Sequence, residues 1–312
     1  MRHRDRLPQL GGGLFMTDGG LETTLIFEQG FELPEFAAID LLRSTRGAEA
    51  LESYYAGYAE LARELGVGFV LESPTWRASP AWATRLGYSA SELEQLNRRA
   101  ISLMEEIRDR YDASEGPFVI SGCIGPEGDA YNPEKTLSAD AAERYHDTQI
   151  ATFAATSADM VTALTLTYAA EATGIVRAAS RHGIPAAISF TVETDGRLPS
   201  GQALGEAIEQ VDEETQEGAA YFMINCAHPT HFAHHLTPEA PWLERVRGMR
   251  ANASMKSHAE LDEAATLDDG DPEDLARRHI ELRASLPNLN VVGGCCGTDI
   301  RHVTAIWRTL LD

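Results

Sequence analysis

Basic residues, cysteines and long apolar runs are all scarce in this chain, and each shortage closes off a class of function. Lys and Arg together number 26 against 48 Asp and Glu, a formal net charge of −22 at pH 7. Phosphate backbones are bound by clustered cations, so neither a nucleic-acid partner nor an anionic membrane surface is expected. A charge of this sign reads first as a solvated surface and only secondarily as a field that draws in cations. No stretch approaches the roughly 20 apolar residues of a membrane helix. The N-terminal MRHRDRLPQLGGG carries arginines without the apolar segment of a secretory signal. The 4 cysteines in 312 residues do not suggest a disulfide framework, and adjacent Cys295 and Cys296 sit too close along the chain to bridge each other. Thiols kept free in a reducing compartment serve metals or catalysis. The expectation is a soluble, cytoplasmic protein without a membrane partner.

What the chain does have is a repeat: a short apolar run, a polar or glycine-rich turn, then a longer segment of helical period. Strands are expected at Leu14 to Thr17, Gly68 to Leu71, Phe118 to Ser121, Met160 to Leu164, Ala186 to Phe190, Tyr221 to Asn225, Gly248 to Ala253 and Asn290 to Val292. Between them, Tyr58, Leu61, Ala62 and Leu65 share one helical face, Ser91 to Glu94 spells a capping box, and Asp271 before Pro272 reads as an N-cap. Asp268, Asp269, Asp271 and Asp274 lack the spacing of a calcium loop and read as a solvated loop and cap. With no linker or recurring motif, the pattern predicts a short surface arm over 1–10 and a single (β/α)8 barrel over 11–312.

Barrels of this kind carry their chemistry on the loops at the C-terminal ends of the strands. Those ends read Asp18-Gly19-Gly20, Glu72-Ser73-Pro74-Thr75-Trp76, Cys123, Asn225-Cys226 and Gly293-Gly294-Cys295-Cys296-Gly297-Thr298. Strands six and eight are near neighbours around a closed rim, which brings Cys226 within reach of Cys295 and Cys296. Flanking glycines let two consecutive side chains aim at one ion. Three soft thiolates with a fourth position open are the pattern of a catalytic zinc site. The competing reading is a set of small buried apolar residues, and the spacing, which is not C-x2-C, leaves both standing. Cys123, alone on another strand, reads as a packing residue. His228 could complete a closed structural site but reads as an ordinary loop histidine, and His234 and His235 as surface residues.

The strand-end motifs resemble the homocysteine S-methyltransferase family over nearly the whole chain. The anchors are TDGGLETTL (Thr17 to Leu25), SGCIGPEGDAY (Ser121 to Tyr131), SADM (Ser157 to Met160), INCAHP (Ile224 to Pro229) and VVGGCCGT (Val291 to Thr298). The resemblance implies a (β/α)8 barrel, Zn2+ as cofactor and Cys226, Cys295 and Cys296 as its ligands. It also implies that Asp18 meets the amino group of homocysteine and that backbone N–H groups around Gly19 and Gly20 receive its carboxylate. One departure stands out: the family's second amino-group acid, near the end of strand four, is Leu164 here. Either Glu72 at the end of strand two replaces it, or the acceptor is another thiol. The implied reaction moves a methyl group from a cationic donor (S-methylmethionine or S-adenosylmethionine ahead of betaine) to homocysteine, giving methionine, with Trp76 as a candidate cation-π contact for the donor. The partners are thus a small thiol and a small methyl donor. Readings from other classes are a non-catalytic zinc protein and a thiol redox sensor.

Overall fold

In a barrel strand, alternate side chains face the interior and the surrounding helices, and this chain's strands divide that way. In the computed structural model, which describes residues 2–111, 116–130, 136–263 and 266–312, the strands are β1 (Phe15–Met16), β2 (Gly68–Glu72), β3 (Phe118–Ile124), β4 (Met160–Leu166), β5 (Ala186–Phe190), β6 (Tyr221–Ala227), β7 (Val246–Ala251) and β8 (Val291–Gly294). Each pairs in parallel with the next, and β1 pairs with β8 to close the ring. The expected (β/α)8 barrel is the observed fold. Phe69, Leu71, Phe118, Ile120, Val161, Ala163, Phe222 and Ile224 pack outward with the helices. Val70, Val119, Met160, Ala187, Tyr221, Met223 and Val291 form a separate inner cluster.

Moving two residues up each strand changes the chemistry of the interior. Above the apolar layer lie Glu72, Ser121, Thr162, Ser189 and Asn225, all buried. They are tied across strands by Ser121 Oγ to Thr162 Oγ1 at 2.8 Å and Ser189 Oγ to Asn225 Oδ1 at 2.6 Å. One further step reaches the mouth.

The helices follow ordinary end rules. Thr45–Leu65 starts on Ser44, whose Oγ accepts from the Gly47 N–H at 3.0 Å, and stops at Gly66 with φ 67°. It buries Tyr54, Tyr55, Tyr58, Leu61 and Ala62, the face read from the sequence, and Leu65 packs at its edge. Pro272–Ser285 is capped by Asp271, as expected, through bonds from the N–H groups of Glu273 and Asp274. The expected Ser91 to Glu94 box is displaced: the box that forms joins Ser89 and Glu92, with Ser89 N–H donating to Glu92 Oε2 at 2.9 Å and Glu92 N–H to Ser89 Oγ at 3.3 Å. Two S-x-x-E frames overlap in Ser89-Ala90-Ser91-Glu92-Leu93-Glu94, and the earlier one caps because the helix begins at Ala90.

The N-terminal arm is exposed at Arg2, Asp5, Arg6 and Leu10, but it is also anchored to the barrel. Leu7 and Gln9 are buried under the barrel floor, the Gln9 amide reaches Met160 Sδ at 3.2 Å, and the Asn290 amide donates to the Gln9 carbonyl at 2.8 Å. The Arg4 guanidinium donates to the carbonyls of Ala154, Thr156 and Ala158, and the backbone N–H groups of Arg2 and His3 donate to Asp159. An open barrel bottom would expose the inner apolar layer to water, and the arm covers it. No described helix is long and apolar enough to cross a membrane.

Candidate metal centre and the cavity beside it

Asn225 and Cys226 are consecutive on β6, yet both side chains serve the same mouth. Strict alternation would turn Cys226 outward. The β6–β7 register slips between Asn225 and Ala227, and Cys226 takes φ 53°, a left-handed conformation that costs a non-glycine residue free energy. The bulge re-aims the thiol upward. Its carbonyl is held by His258 Nε2 at 2.5 Å, and His258 Nδ1 meets Glu193 Oε1 at 3.0 Å. Burial works against a charge on His258, but these two bonds outweigh it and raise its pKa.

A second bulge, on β4 between Ala163 and Leu166, places Thr165 at φ 64°. Asn225 spans the two bulges: its Oδ1 accepts from the Thr165 N–H at 2.8 Å and its amide donates to Thr165 Oγ1 at 2.8 Å. The same amide lies 3.8 Å from Cys295 Sγ.

The Cys226, Cys295 and Cys296 sulfurs all lie within 4.8 Å of one another, the one group of metal-ligating side chains of this kind among the described residues. Cys226 Sγ is 2.8 Å from Cys295 Sγ and 3.6 Å from Cys296 Sγ. Bonds from Cys226 and Cys296, aided by the Arg250 guanidinium, pull the Cys295 pKa below the ordinary thiol value, and the same contacts push that of Cys296 up. His228 stands apart from this cluster. It caps the short helix Pro229–Phe232, its Nδ1 meets Thr230 Oγ1 at 2.8 Å, and burial lowers its pKa to about 4. His234 and His235 are exposed, as expected.

The thiols form one wall of a cavity also lined by Asp18, Glu22, Glu72, Trp76, Cys123, Leu164 and Arg250. Asp18 follows β1. Its Oδ1 lies 2.7 Å from Arg250 Nη2, and its Oδ2 accepts from the Tyr54 hydroxyl at 3.1 Å. Burial raises its pKa against the pull of Arg250. Gly19 and Gly20 leave no room for a side chain: a Cβ on Gly19 would fall 2.5 Å from the Tyr58 hydroxyl, and one on Gly20 would fall 2.6 Å from the Cys295 carbonyl. The Gly20 N–H donates to the Thr298 carbonyl at 2.9 Å. The glycines therefore let the loop after β1 lie directly on the loop that carries Cys295.

Glu72 is 4% exposed, and burial raises its carboxyl to about 7 despite Arg250 and the Thr162 and Ser121 hydroxyls. Leu164 is 8% exposed and presents an apolar surface to the same cavity. The Trp76 indole N–H donates to the Leu164 carbonyl at 3.3 Å, and Arg77 lies over the Trp76 ring at 5.0 Å. Trp76, Phe36, Thr23 and Cys296 line both this cavity and an outer chamber that continues over Phe27, Asn252, His258 and Asp268. Cys123 is buried, and its thiol is pushed well above the usual range by burial and then by Glu72.

Two residues that the sequence did not single out complete the cavity. Arg250 is a buried cation on β7, and a charge inside an expected barrel strand was the available signal. Glu22 lies within the TDGGLETTL motif, and burial raises its carboxyl to about 7. Tyr131, the last residue of another motif, lies outside the described residues.

A (β/α)8 barrel with a cluster of three thiols at the C-terminal rim, opening on a charged cavity, defines a class of barrel enzyme with a candidate metal centre. The sequence model for homocysteine S-methyltransferases matches residues 15–310, and the chain belongs to that family as an enzyme of this type. Its fold is similar to solved structures of the homocysteine methyltransferase MmuM from Escherichia coli. The metallated form has a TM-score of 0.73 at 16% identity, covering 97% of this chain and 98% of that one. The oxidized form has a TM-score of 0.72 at 18% identity, covering 96% and 97%. No curated protein sequence matches the chain.

Proposed function

We propose that the chain is a zinc-dependent S-methyltransferase that moves a methyl group from a cationic sulfonium or ammonium donor to homocysteine. The observation that carries this reading is the meeting of Cys226, Cys295 and Cys296 beside an acid-lined cavity. Three thiolates suit zinc and leave a fourth position for substrate. Bound there, the ion would hold the acceptor sulfur as thiolate, the nucleophilic form of a group whose free pKa is about 8.5.

The chain's own residues would do the positioning. Asn225 orients Cys295, His258 fixes the Cys226 carbonyl, and Trp76 and Phe36 wall the junction where the acceptor cavity meets the outer chamber. That chamber would receive the donor. In the overall transfer the acceptor releases its S–H proton to solvent and its sulfur bonds to the methyl carbon. The old bond to the donor's sulfur or nitrogen breaks, with the electron pair staying on that atom. A cationic donor thereby leaves neutral. Asp18, Gly19, Gly20 and Glu72 are the proposed contacts of the acceptor.

The test is methyl transfer to homocysteine from S-methylmethionine, S-adenosylmethionine and betaine in parallel, with Cys295→Ala as control and zinc measured on both proteins. Methionine formed by the zinc-loaded wild type and not by the variant is expected. Full zinc occupancy with no methionine from any donor would remove homocysteine as acceptor. The apolar Leu164 then favours methylation of a different thiol. Zinc-free protein whose Cys226 and Cys295, 2.8 Å apart, oxidise reversibly would instead support a redox sensor.

A further inference from the structure

Two ionisable side chains lie deep inside the protein and take no part in the chemistry of the thiols. His146, on the helix Ala139–Ala154, is 0% exposed, and Glu171, in the first turn of the helix Ala169–Arg181, is 1% exposed. His146 Nε2 and Glu171 Oε1 are 2.9 Å apart. Burying such a pair costs desolvation that its own attraction does not always offset, and apolar residues would fill the same helix contact without that cost. Apolar residues would not, however, accept a backbone hydrogen bond. Glu171 Oε1 also accepts from the Glu127 N–H, at 2.7 Å, on the segment that follows β3.

That segment is part of the mouth. Gly125 lies so close to Trp76 that a Cβ on it would fall 2.4 Å from the Trp76 carbonyl and 2.9 Å from the indole ring. The Trp82 indole N–H donates to the Pro126 carbonyl at 3.4 Å. Asp129, on the same segment, lines the outer chamber together with Trp76. The helix that carries His146 holds the loop after β2 as well: Gln149 Nε2 donates to the Thr75 carbonyl at 3.2 Å, and the Ala81 N–H donates to the Tyr145 hydroxyl at 3.3 Å. His146 and Gln149, one helical turn apart, thus serve the two loops that meet at Trp76.

We propose that Glu171, held by His146, is a positioning residue for the methyl donor. By fixing the Glu127 N–H it seats Gly125 against Trp76 and so sets the wall that the donor meets in the outer chamber. Neither Glu171 nor His146 lines the cavity or the chamber, so the effect passes through the backbone of the loop. The assignment rests on the proposed methyl transfer for the identity of the ligand, whereas the seating of the loop does not.

The test compares the zinc-loaded full-length wild type with Glu171→Ala, which removes the acceptor, and Glu171→Gln, which keeps an Oε1 in its place. Three quantities are measured: KM and kcat for the donor that the wild type uses, homocysteine affinity by calorimetry, and hydrogen-deuterium exchange of residues 125–130 by mass spectrometry. Glu171→Ala is expected to lower kcat/KM for the donor roughly ten- to a hundredfold, to speed exchange over 125–130, and to leave homocysteine affinity and zinc content unchanged. Glu171→Gln should restore most of the donor kinetics and of the protection. Because alanine at so buried a site can compromise folding, Gly125→Ala is the second variant. Its Cβ displaces the loop from Trp76 with the buried pair intact, and it should reproduce the donor defect.

Four results would overturn the assignment: unchanged donor kinetics in folded Glu171→Ala, donor and homocysteine weakened by one factor, a glutamine variant no better than the alanine, or Gly125→Ala with wild-type donor kinetics. A wild type that turns over no donor removes the proposed function. In that case faster exchange over 125–130 in Glu171→Ala, reversed in Glu171→Gln, upholds the seating of the loop, and unchanged exchange overturns it.

Discussion

The floor and the mouth of the barrel are built from the same strands, one or two residues apart, and they obey opposite rules. On the floor, Leu7, Phe15, Val70, Val119, Met160, Tyr221, Met223 and Val291 pack side by side in one apolar cluster. At the mouth the strands bulge, Thr165 and Cys226 take left-handed backbone angles, and Glu72 Oε2 and Arg250 Nη1 lack partners. Strain and unmet polarity of this kind persist only where the surrounding structure enforces them. The floor and the outward core supply that enforcement. Stability and chemistry are therefore separable by substitution, and the contrast can be tested from both ends.

The largest effect is expected at the mouth. Cys295→Ser removes a proposed soft ligand whose sulfur contacts Cys226 and faces the Asn225 amide, so methyl transfer should fall to background and zinc to sub-stoichiometric levels, with little change in the unfolding midpoint of metal-free protein. The floor should behave in mirror image. Met160→Ala leaves a cavity in the fully buried inner layer and should cost about 2–5 kcal/mol in denaturant unfolding, while the surviving folded protein keeps its zinc content. A floor variant that lost zinc at unchanged stability would break the comparison.

Glu72 sharpens the comparison through pH. Its carboxyl is raised from 4.5 to about 7 by burial, so between those values the folded protein keeps a proton that the unfolded chain releases. The contribution to stability is complete below the unfolded value, is lost as pH rises through the folded one, and is level above it. Glu72→Gln should abolish that slope in chelator-treated protein and raise stability above pH 7 by at most about 3 kcal/mol. Thermal melts on both sides of the window measure it. A wild-type curve with no fall across the window would mean that Arg250 compensates the buried charge fully.

How far the sequence reveals these two regions follows from the range over which each is specified. The floor and outer core are set by alternation within single strands, and all eight expected strands form. Their ends are less legible. β4 and β6 run on to Leu166 and Ala227, beyond the expected Leu164 and Asn225, because bulges depend on the neighbouring strand's register. β7 begins at Val246 and stops at Ala251, where Asn252 and Ala253 were expected to continue it. At the mouth, the spacing of the cysteines leaves a metal site and buried packing residues both standing, and it is the family motifs that single out the three thiols which the structure brings together. The Asp18–Arg250 pair joins the segment after β1 to β7, far apart in sequence, and nothing local to either residue announces it. The arm over 1–10 is polar enough to read as surface, yet Leu7 and Gln9 belong to the floor because only the closed ring creates a bottom to fill.

At Gln9, as at its neighbour Asn290, the floor resembles the mouth, and Gln9 yields the smallest predicted effect. The side chain is fully buried, its amide contacts Met160 Sδ, a weak acceptor, at 3.2 Å and the Tyr221 hydroxyl at a long 3.4 Å, and its Oε1 has no partner. Replacing a poorly satisfied buried amide by an apolar group of similar size removes its desolvation cost along with two weak bonds. Gln9→Leu should therefore shift stability by no more than about 1 kcal/mol, in the stabilising direction where the carbonyl oxygen's penalty exceeds the bonds. Chemical denaturation against wild type, with homocysteine affinity measured in parallel, tests this. A loss well beyond that figure would show that the floor also depends on specific polarity, and the division between a floor that only packs and a mouth that only binds would then have to be redrawn around Gln9.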